Sequence, residues 1–232
     1  MRLRPFFSFY GAKWRTARSY PTPTHDTIIE PFAGSAGYAG NYADRQVVLV
    51  DADPVVAGLW AYLINVRADE IRALPALVEH VDDMQACAEA RHLVGFWLAR
   101  GTEYPRLKPS AWMREGRDRG MWLGSFWCAD VRDRIAAQVE HIRHWRVLHA
   151  SYDRAPDLRA TWFVDPPYVA KGRAYRAKFA EHAALGVWCR QRDGQVIACE
   201  QVGASWLPFE SFGERRSTRG KSHEAVWHRE IA

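Results

Sequence analysis

Asp165, Pro166, Pro167 and Tyr168 directly follow the apolar run 162–164. Proline fixes φ and has no N–H donor, so the two prolines hold the neighbouring carbonyl in one direction. The result is a rigid set of acceptors, one carboxylate and one carbonyl, beside an aromatic ring. Such a set suits a planar amino group, whose N–H bonds need acceptors and whose ring needs a stacking face. These four residues are therefore the candidate catalytic group.

Three more apolar runs lead into residues that suit a ligand site. Residues 27–29 lead into EPFAGSAG at 30–37, residues 47–50 lead into DADP at 51–54, and residues 195–199 lead into Glu200. Apolar runs that end in acidic, glycine or proline residues are typical of parallel strands that feed loops at their carboxyl ends. Ligands bind at that edge in open α/β sheets, so we expect the four loops to meet there.

With an N-terminal segment, these motifs resemble an enzyme family. Residues 6–13 (FFSFYGAK), 30–37, 50–53 (VDAD) and 165–168 (DPPY) follow the motif order of Dam-like adenine-N6 DNA methyltransferases, which depend on S-adenosylmethionine (SAM). The resemblance covers most of the chain except its middle. It implies an α/β, Rossmann-like SAM-dependent methyltransferase fold, with a mostly parallel, doubly wound sheet and a helical insertion.

The resemblance also implies roles for individual residues. Asp165 and the Pro166 carbonyl would accept the N–H bonds of the target amine, while Tyr168 would stack on its ring. Lys13 would balance the methionine carboxylate of SAM, and Asp51 would accept both ribose hydroxyls. The residues expected to contact the cofactor are Tyr10, Lys13, Glu30, Phe32, Ala33, Gly34, Ser35, Asp51, Ala52, Ser151, Tyr152 and Asp165.

Two positions depart from the family's pattern. Ala36 stands where many relatives carry a second glycine, so we expect negative φ at this alanine. Ser151 stands where relatives often carry an aspartate that would contact the adenine amino group of the cofactor. Because a serine hydroxyl accepts a hydrogen bond without a charge, we expect cofactor binding to be weaker rather than absent.

Three helices are expected to position these loops. Asp53 and Pro54 form an N-cap and an N1 proline, which predicts a helix through about residue 66. A second helix is predicted over 129–145 and a third near 178–192. The side chains expected on the buried face of the first helix are Val55, Leu59, Tyr62, Leu63 and Val66.

The middle of the chain interrupts the strand–helix alternation. We expect residues 1–66 and 147–232 to form the SAM-binding catalytic domain and residues 67–146 to form a helical insertion that recognises the target. Within the insertion, residues 91–127 carry seven basic residues against three acids, with seven aromatic residues. That combination is typical of nucleic-acid binding, although a helical lid with inward-packed tryptophans or a dimer surface would also explain it.

Basic side chains outside the cofactor motifs are the candidate contacts to DNA phosphates. The alternative for the loop after Tyr168 is an ordinary solvated loop, and for the basic run 215–222 a mobile hairpin. The expected DNA-binding residues are Arg114, Arg117 and Arg119 in the insertion, Lys171 and Arg173 after Tyr168, and Lys221 near the C-terminus.

Composition limits the class of protein. The 232 residues are 48% hydrophobic and 25% charged, which excludes a disordered chain. No apolar segment has the ~20 residues of a membrane span, and no signal peptide is visible, so we expect a cytoplasmic protein, a monomer or weak dimer. The four cysteines form no CxxC pair and His141 and His144 have no ligand cluster beside them, so we expect reduced thiols and no metal.

The sequence thus predicts an enzyme that transfers a methyl group from SAM to the N6 amino group of an adenine flipped out of double-stranded DNA. Several alternatives remain open. One is methylation of another planar amine, such as cytosine N4, adenine in RNA or a protein glutamine. Another is a catalytically inactive DNA-binding relative.

Overall fold

The computed structural model describes residues 1–119, 124, 126–169, 179–217 and 220–230, with the backbone alone at 214–217 and 220–222. Seven strands form one sheet in the order β3-β2-β1-β4-β5-β7-β6. The strands are β1 (Thr27–Glu30), β2 (Gln46–Asp51), β3 (Arg146–His149), β4 (Ala160–Val164), β5 (Gly194–Gln201), β6 (Glu210–Ser217) and β7 (Gly220–Glu230).

The first five strands in sequence pair in parallel, whereas β7 lies antiparallel to β5 and forms a hairpin with β6. A mixed sheet in this order, with the last strand inserted between β5 and β6, is typical of SAM-dependent methyltransferases. The predicted fold class is therefore confirmed. The four apolar runs that predicted strands correspond to β1, β2, β4 and β5.

Alternating side chains of the parallel strands enter two separate cores, one on each face of the sheet. Ile28, Leu49 and Phe163 pack into the core that also contains the N-terminal segment and the insertion. Ile29 and Trp162 pack into the opposite core. Strands β1 and β4 are thus buried on both faces of the sheet, which accounts for their near-continuous apolar runs in the sequence.

Six α-helices are described. They are α1 (Pro54–Asn65), α2 (Ala68–Arg72), α3 (Ala88–Trp97), α4 (Ala111–Asp118), α5 (Ala129–Gln138) and α6 (His182–Gln191). The predicted start of α1 is confirmed, because the Asp53 carboxylate accepts the Val55 N–H at 2.8 Å and Pro54 occupies N1. The predicted helix over 129–145 ends earlier, at Gln138, and continues as a 3-10 turn to Ile142.

The predicted buried face of α1 was partly wrong. Leu59, Leu63 and the C-cap Val66 are buried, but Val55 and Tyr62 are only half-buried. The buried face of α1 is wider than predicted because the helix packs against both the sheet and the insertion. The buried residues of α1 are Val56, Ala57, Leu59, Trp60, Leu63 and Ile64.

The insertion shares a core with the N-terminal part of the chain. Phe96 of α3 lies 5.1 Å from Phe7, ring centroid to ring centroid, and Phe7 also contacts Trp60 of α1. Trp97 is buried and its indole N–H donates to the Phe6 carbonyl at 2.8 Å. Inward packing therefore accounts for most of the tryptophans described in this segment, with an exception given below.

The described residues were compared with the expectations of no membrane span and no metal site. No helix in that part of the chain combines the length and the apolar character that crossing a bilayer requires. No cluster of three or more His, Cys, Asp or Glu side chains able to hold a metal ion occurs in those same residues. His141 and His144 are both exposed.

Candidate active site

A cavity of about 330 Å³ lies where the loops after β1, β2 and β4 meet. Its volume falls within the range of small-molecule sites, roughly 300–1,000 Å³. All twelve residues that the sequence assigned to the cofactor line this cavity, together with Pro167. Residues from distant parts of the sequence are thus brought to one edge of the sheet.

Several lining residues were not predicted. Phe9, Phe163 and Phe179 add aromatic surface, and Glu103 extends the lining to the insertion. Glu103 reaches the cavity because the Tyr10 N–H donates to the Thr102 carbonyl at 3.1 Å, which ties the insertion to the N-terminal segment. The insertion therefore borders the cavity directly, which strand–helix patterning had no means of indicating.

The loop after β1 turns sharply at Gly34, whose φ of +44° favours glycine. A side chain there would also place its Cβ 3.2 Å from the Phe9 ring. The Gly34 carbonyl accepts the Trp60 indole N–H at 2.8 Å. These contacts fix the backbone beside the cavity and explain why glycine is required at this position.

The expectation for Ala36 was wrong. Its φ is +48°, in the left-handed region that costs a non-glycine residue roughly 1–2 kcal/mol. Hydrogen bonds on both sides hold this conformation, since the Ala36 N–H donates to the Ala33 carbonyl and the Ala36 carbonyl accepts the Gly40 N–H. The turn needs the conformation of glycine even though the sequence supplies alanine.

Asp51 lies at the carboxyl end of β2 with both carboxylate oxygens engaged by backbone. Oδ2 accepts the Gly34 N–H at 2.9 Å, and Oδ1 accepts the Asp53 N–H at 2.9 Å. Burial raises the pKa of Asp51 to about 6, although these two N–H donors act in the opposite direction. Because each oxygen has a second lone pair, Asp51 can still accept hydrogen bonds from a ligand in the cavity.

Aromatic rings form one wall of the cavity. Phe32 and Tyr152 stack with ring centroids 5.5 Å apart and an interplanar angle of 20°. Phe179 meets both rings edge to face. Ser151, beside this wall, also lines the cavity and is exposed. The wall offers flat apolar surface to a ligand ring, with a hydroxyl at its edge.

The carboxylate of Asp165 is paired with Lys13. Lys13 Nζ lies 2.8 Å from Oδ1 and 2.9 Å from Oδ2, and the lysine side chain is only 4% exposed. The resemblance had assigned Lys13 to the methionine carboxylate of SAM. In this arrangement the ammonium instead contacts the candidate catalytic carboxylate, and the cofactor role of Lys13 stays a prediction.

Glu224 of β7 completes this buried group and was not predicted from the sequence. Its Oε2 accepts the Tyr168 hydroxyl at 2.7 Å and lies 4.0 Å from Lys13 Nζ. Burial raises the pKa of Tyr168 well above its usual range, so the hydroxyl remains a donor. Lys13 Nζ also lies 4.7 Å from the Tyr168 ring centroid. The Tyr168 side chain is thus held from two sides, and its stacking role stays a prediction.

Two further polar groups face the cavity. Glu30 is 2% exposed and its Oε1 accepts the Ala39 N–H at 2.6 Å. Burial raises the pKa of Glu30 to about 8, so this carboxyl is mostly protonated at neutral pH. The buried hydroxyl of Ser35 has no hydrogen-bond partner among the described residues. Ser35 thus lines the cavity with its hydroxyl buried in the wall.

The expected DNA contacts fall into four groups. Arg119 and Arg114 are exposed, although Arg114 donates to the Pro109 carbonyl at 2.9 Å. Arg117 pairs with Glu79 at 2.7 Å. Lys171 and Arg173 lie outside the described residues. The remaining residue, Lys221, belongs to β7, where only the backbone is described.

Comparison with known proteins supports no argument about the fold or the activity of this chain. No protein-family model and no curated protein matches the chain. Among solved structures, a "conserved hypothetical protein" of Streptococcus pyogenes is 12% identical, with a TM-score of 0.37 over 86% of this chain and 84% of that one. The "Putative methyltransferase yhhF from Escherichia coli" is 10% identical, with a TM-score of 0.38 over 89% and 76%. Similarity at this level does not bear on activity.

Proposed function

We propose that this protein is a SAM-dependent methyltransferase that acts on the N6 amino group of adenine in DNA. One observation carries the proposal: the cofactor motifs, Asp165 and Pro167 line a single cavity. That cavity lies at the carboxyl edge of a sheet with methyltransferase strand order. Asp165, one of the two proposed amine acceptors, is therefore close enough to the cofactor motifs to serve one reaction, while Pro166 and Tyr168 are not among the residues that line the cavity.

The lining fits SAM in two respects. Asp51 has spare acceptor capacity for ribose hydroxyls, and the Phe32–Tyr152 wall suits a purine ring. When bound, SAM supplies a methyl group activated by a positively charged sulfur.

Asp165 and the Pro166 carbonyl are the protein groups that act on the target amine in this proposal. The lone pair of an aromatic amine is delocalised into its ring, so the nitrogen is a poor nucleophile. Acceptors for both N–H bonds favour the pyramidal nitrogen, in which the lone pair is localised. Most of the acceleration then comes from alignment, for which effective molarities reach ~10⁵ M or more. Asp165 need not be a strong base, because the nitrogen becomes acidic once it carries four bonds.

DNA is the proposed substrate because of the insertion. Flipping a base out of the duplex costs a few kcal/mol, which phosphate contacts and ring stacking must offset. The insertion borders the cavity through Glu103 and carries an exposed basic and aromatic surface. Arg100 lies 4.7 Å from the Trp112 ring centroid, and Trp112 is 48% exposed. Exposed tryptophan beside arginine is typical of a surface that contacts nucleic acid.

A methyl-transfer assay tests the proposal. The full chain is incubated with labelled SAM and, in parallel, with duplex DNA, RNA or a glutamine-containing protein, and the modified product is identified after hydrolysis. We expect N6-methyladenine from DNA alone. Label in N4-methylcytosine, in RNA or in glutamine would support the corresponding alternative. No transfer to any acceptor, with SAM bound, would indicate the inactive relative.

We predict that Asp51→Asn weakens SAM binding and removes the loss of affinity that the wild type shows as the pH is lowered through about 6. A hydrogen bond to a charged group contributes roughly 1.5–3 kcal/mol, which corresponds to about a 10- to 150-fold change in Kd. In the wild type, affinity should fall as the pH is lowered through about 6, because the carboxyl then becomes protonated. Calorimetry from pH 5 to 8 measures both effects. Equal SAM affinities of the variant and the wild type at pH 8 would mean that another acceptor binds the ribose hydroxyls.

We predict that the Arg114→Ala/Arg119→Ala double variant weakens DNA binding and reduces its salt dependence. Removing one phosphate contact should flatten the slope of log K against log salt by about 0.9, so the double variant should flatten it by up to ~1.8. Arg117→Ala is the matched control, because Glu79 already neutralises this arginine. SAM affinity should not change in any of these variants. If the slope of the double variant equals that of the wild type, α4 does not contact DNA and is part of a structural lid.

A further inference from the structure

The backbone of the candidate catalytic loop is held by two side chains, that of His182, to which the sequence assigned no role, and that of Glu200. His182 Nε2 lies 2.9 Å from the Pro167 carbonyl oxygen. A carbonyl only accepts, so this ring nitrogen carries the proton and donates it. Two residues further on, the Val169 N–H donates to Glu200 Oε2 at 3.3 Å. The segment that follows Asp165 is thus attached to α6 on one side and to β5 on the other.

His182 is itself fixed in place by its surroundings. It is the first residue of α6, and its ring packs edge to face against Phe179, 4.8 Å away. On the other side lies Trp206, at 6.0 Å between centroids. Trp206 donates its indole N–H to Glu200 at 3.1 Å. The imidazole therefore sits between two rings, and its side chain is only 12% exposed.

Close packing of α6 brings His182 within reach of the loop. A Cβ on Gly186 would lie 2.4 Å from the Trp206 carbonyl oxygen, so only glycine permits the helix to lie this close. Pro167 lines the cavity, whereas His182 does not belong to its lining residues. His182 can thus influence the site through the Pro167 carbonyl without touching a ligand in the cavity.

We propose that His182 is a positioning residue for methyl transfer, and this inference rests on the proposed function. Its N–H fixes the Pro167 peptide, which follows directly on the peptide whose carbonyl belongs to Pro166. Because proline already locks φ at both positions, fixing the Pro167 carbonyl leaves little freedom for the preceding carbonyl, that of Pro166. The hydrogen bond thereby keeps Asp165 and the Pro166 carbonyl directed at the target amine, and a misplacement of about 1 Å there costs on the order of 100-fold in rate.

Three substitutions separate this role from simple packing. His182→Gln retains an N–H donor at similar reach, His182→Phe retains a ring without a donor, and His182→Ala removes both. Each variant is assayed with labelled SAM and duplex DNA for kcat and KM, by calorimetry for SAM affinity, and by thermal melting for folding. The Phe variant keeps the experiment decisive should the Ala variant fold poorly.

We expect kcat of the Phe and Ala variants to fall at least about tenfold, with SAM affinity changed less than about twofold, and the Gln variant to recover most of the rate. A Phe variant as fast as the wild type, or a Gln variant as slow as Ala, would show that the ring only packs and would overturn the inference. An inactive wild type would instead overturn the proposed function, and the inference with it.

Discussion

Asp165→Ala should abolish methyl transfer while SAM still binds. In the proposed mechanism the Asp165 carboxylate, at the end of β4, accepts a hydrogen bond from the target amine, and the described part of that loop, through Val169, supplies no other negative charge. We expect less than about a tenth of wild-type turnover, which corresponds to more than about 1.4 kcal/mol of lost transition-state stabilisation. Single-turnover kinetics with saturating SAM and DNA measures the chemical step, and calorimetry measures cofactor affinity in the same variant.

A control is needed because Asp165→Ala also leaves the Lys13 ammonium without this partner. Asp165→Asn preserves the shape of the side chain and one acceptor oxygen, so its fold should be better maintained. We expect it to bind SAM like the wild type and to transfer methyl groups slowly. Retention of more than about a tenth of the turnover in both variants would remove Asp165 from the mechanism. Loss of SAM binding in both variants would mean that Asp165 serves mainly to bind the cofactor.

The parallel core of the fold could be predicted because its central strands are buried on both faces. Their apolar runs stand out, and the loops after β1, β2 and β4 line the cavity as expected, whereas the expected contribution from Glu200 after β5 was wrong. The Asp53 N-cap was equally visible, because a capping aspartate followed by proline is a local signal. Local signals and doubly buried strands are the features that a single sequence displays.

The remaining features depend on contacts between distant segments. Glu224 joins the site only because β7 inserts antiparallel beside β5, which places it near a tyrosine 56 positions earlier in the sequence. Tertiary packing likewise decides that Ala36 takes a left-handed conformation. The pairing of Lys13 with Asp165 spans 152 positions. No spacing rule links such residues before the sheet is assembled.

Lys13→Met should strongly destabilise the protein. The ion pair with Asp165 is largely buried, with side-chain exposures of 4% and 20%. Removing one partner of such a pair leaves an uncompensated charge and typically costs about 3–5 kcal/mol. In a chain of this length each kcal/mol lowers Tm by roughly 2–4 °C. Thermal or urea unfolding measures the loss, and Arg67→Met, which breaks the exposed pair with Asp69, should barely change Tm.

The double variant Lys13→Met/Asp165→Asn tests the cause of this loss. If the cost comes from the charge left on Asp165, neutralising that residue should restore most of the stability, because no isolated charge then remains in this pair. A double variant no more stable than Lys13→Met would mean that the lysine stabilises the fold through other contacts, such as those with the Glu224 carboxylate and the Tyr168 ring.

SAM affinity in these variants separates the two roles of Lys13. If the ammonium also balances the methionine carboxylate, affinity should fall in Lys13→Met and remain low in the double variant, whatever the recovery in Tm. If the lysine only holds Asp165, the double variant should bind SAM like Asp165→Asn alone. Calorimetry on the three proteins at one pH distinguishes these results, since the first role predicts a loss that neutralising Asp165 cannot repair.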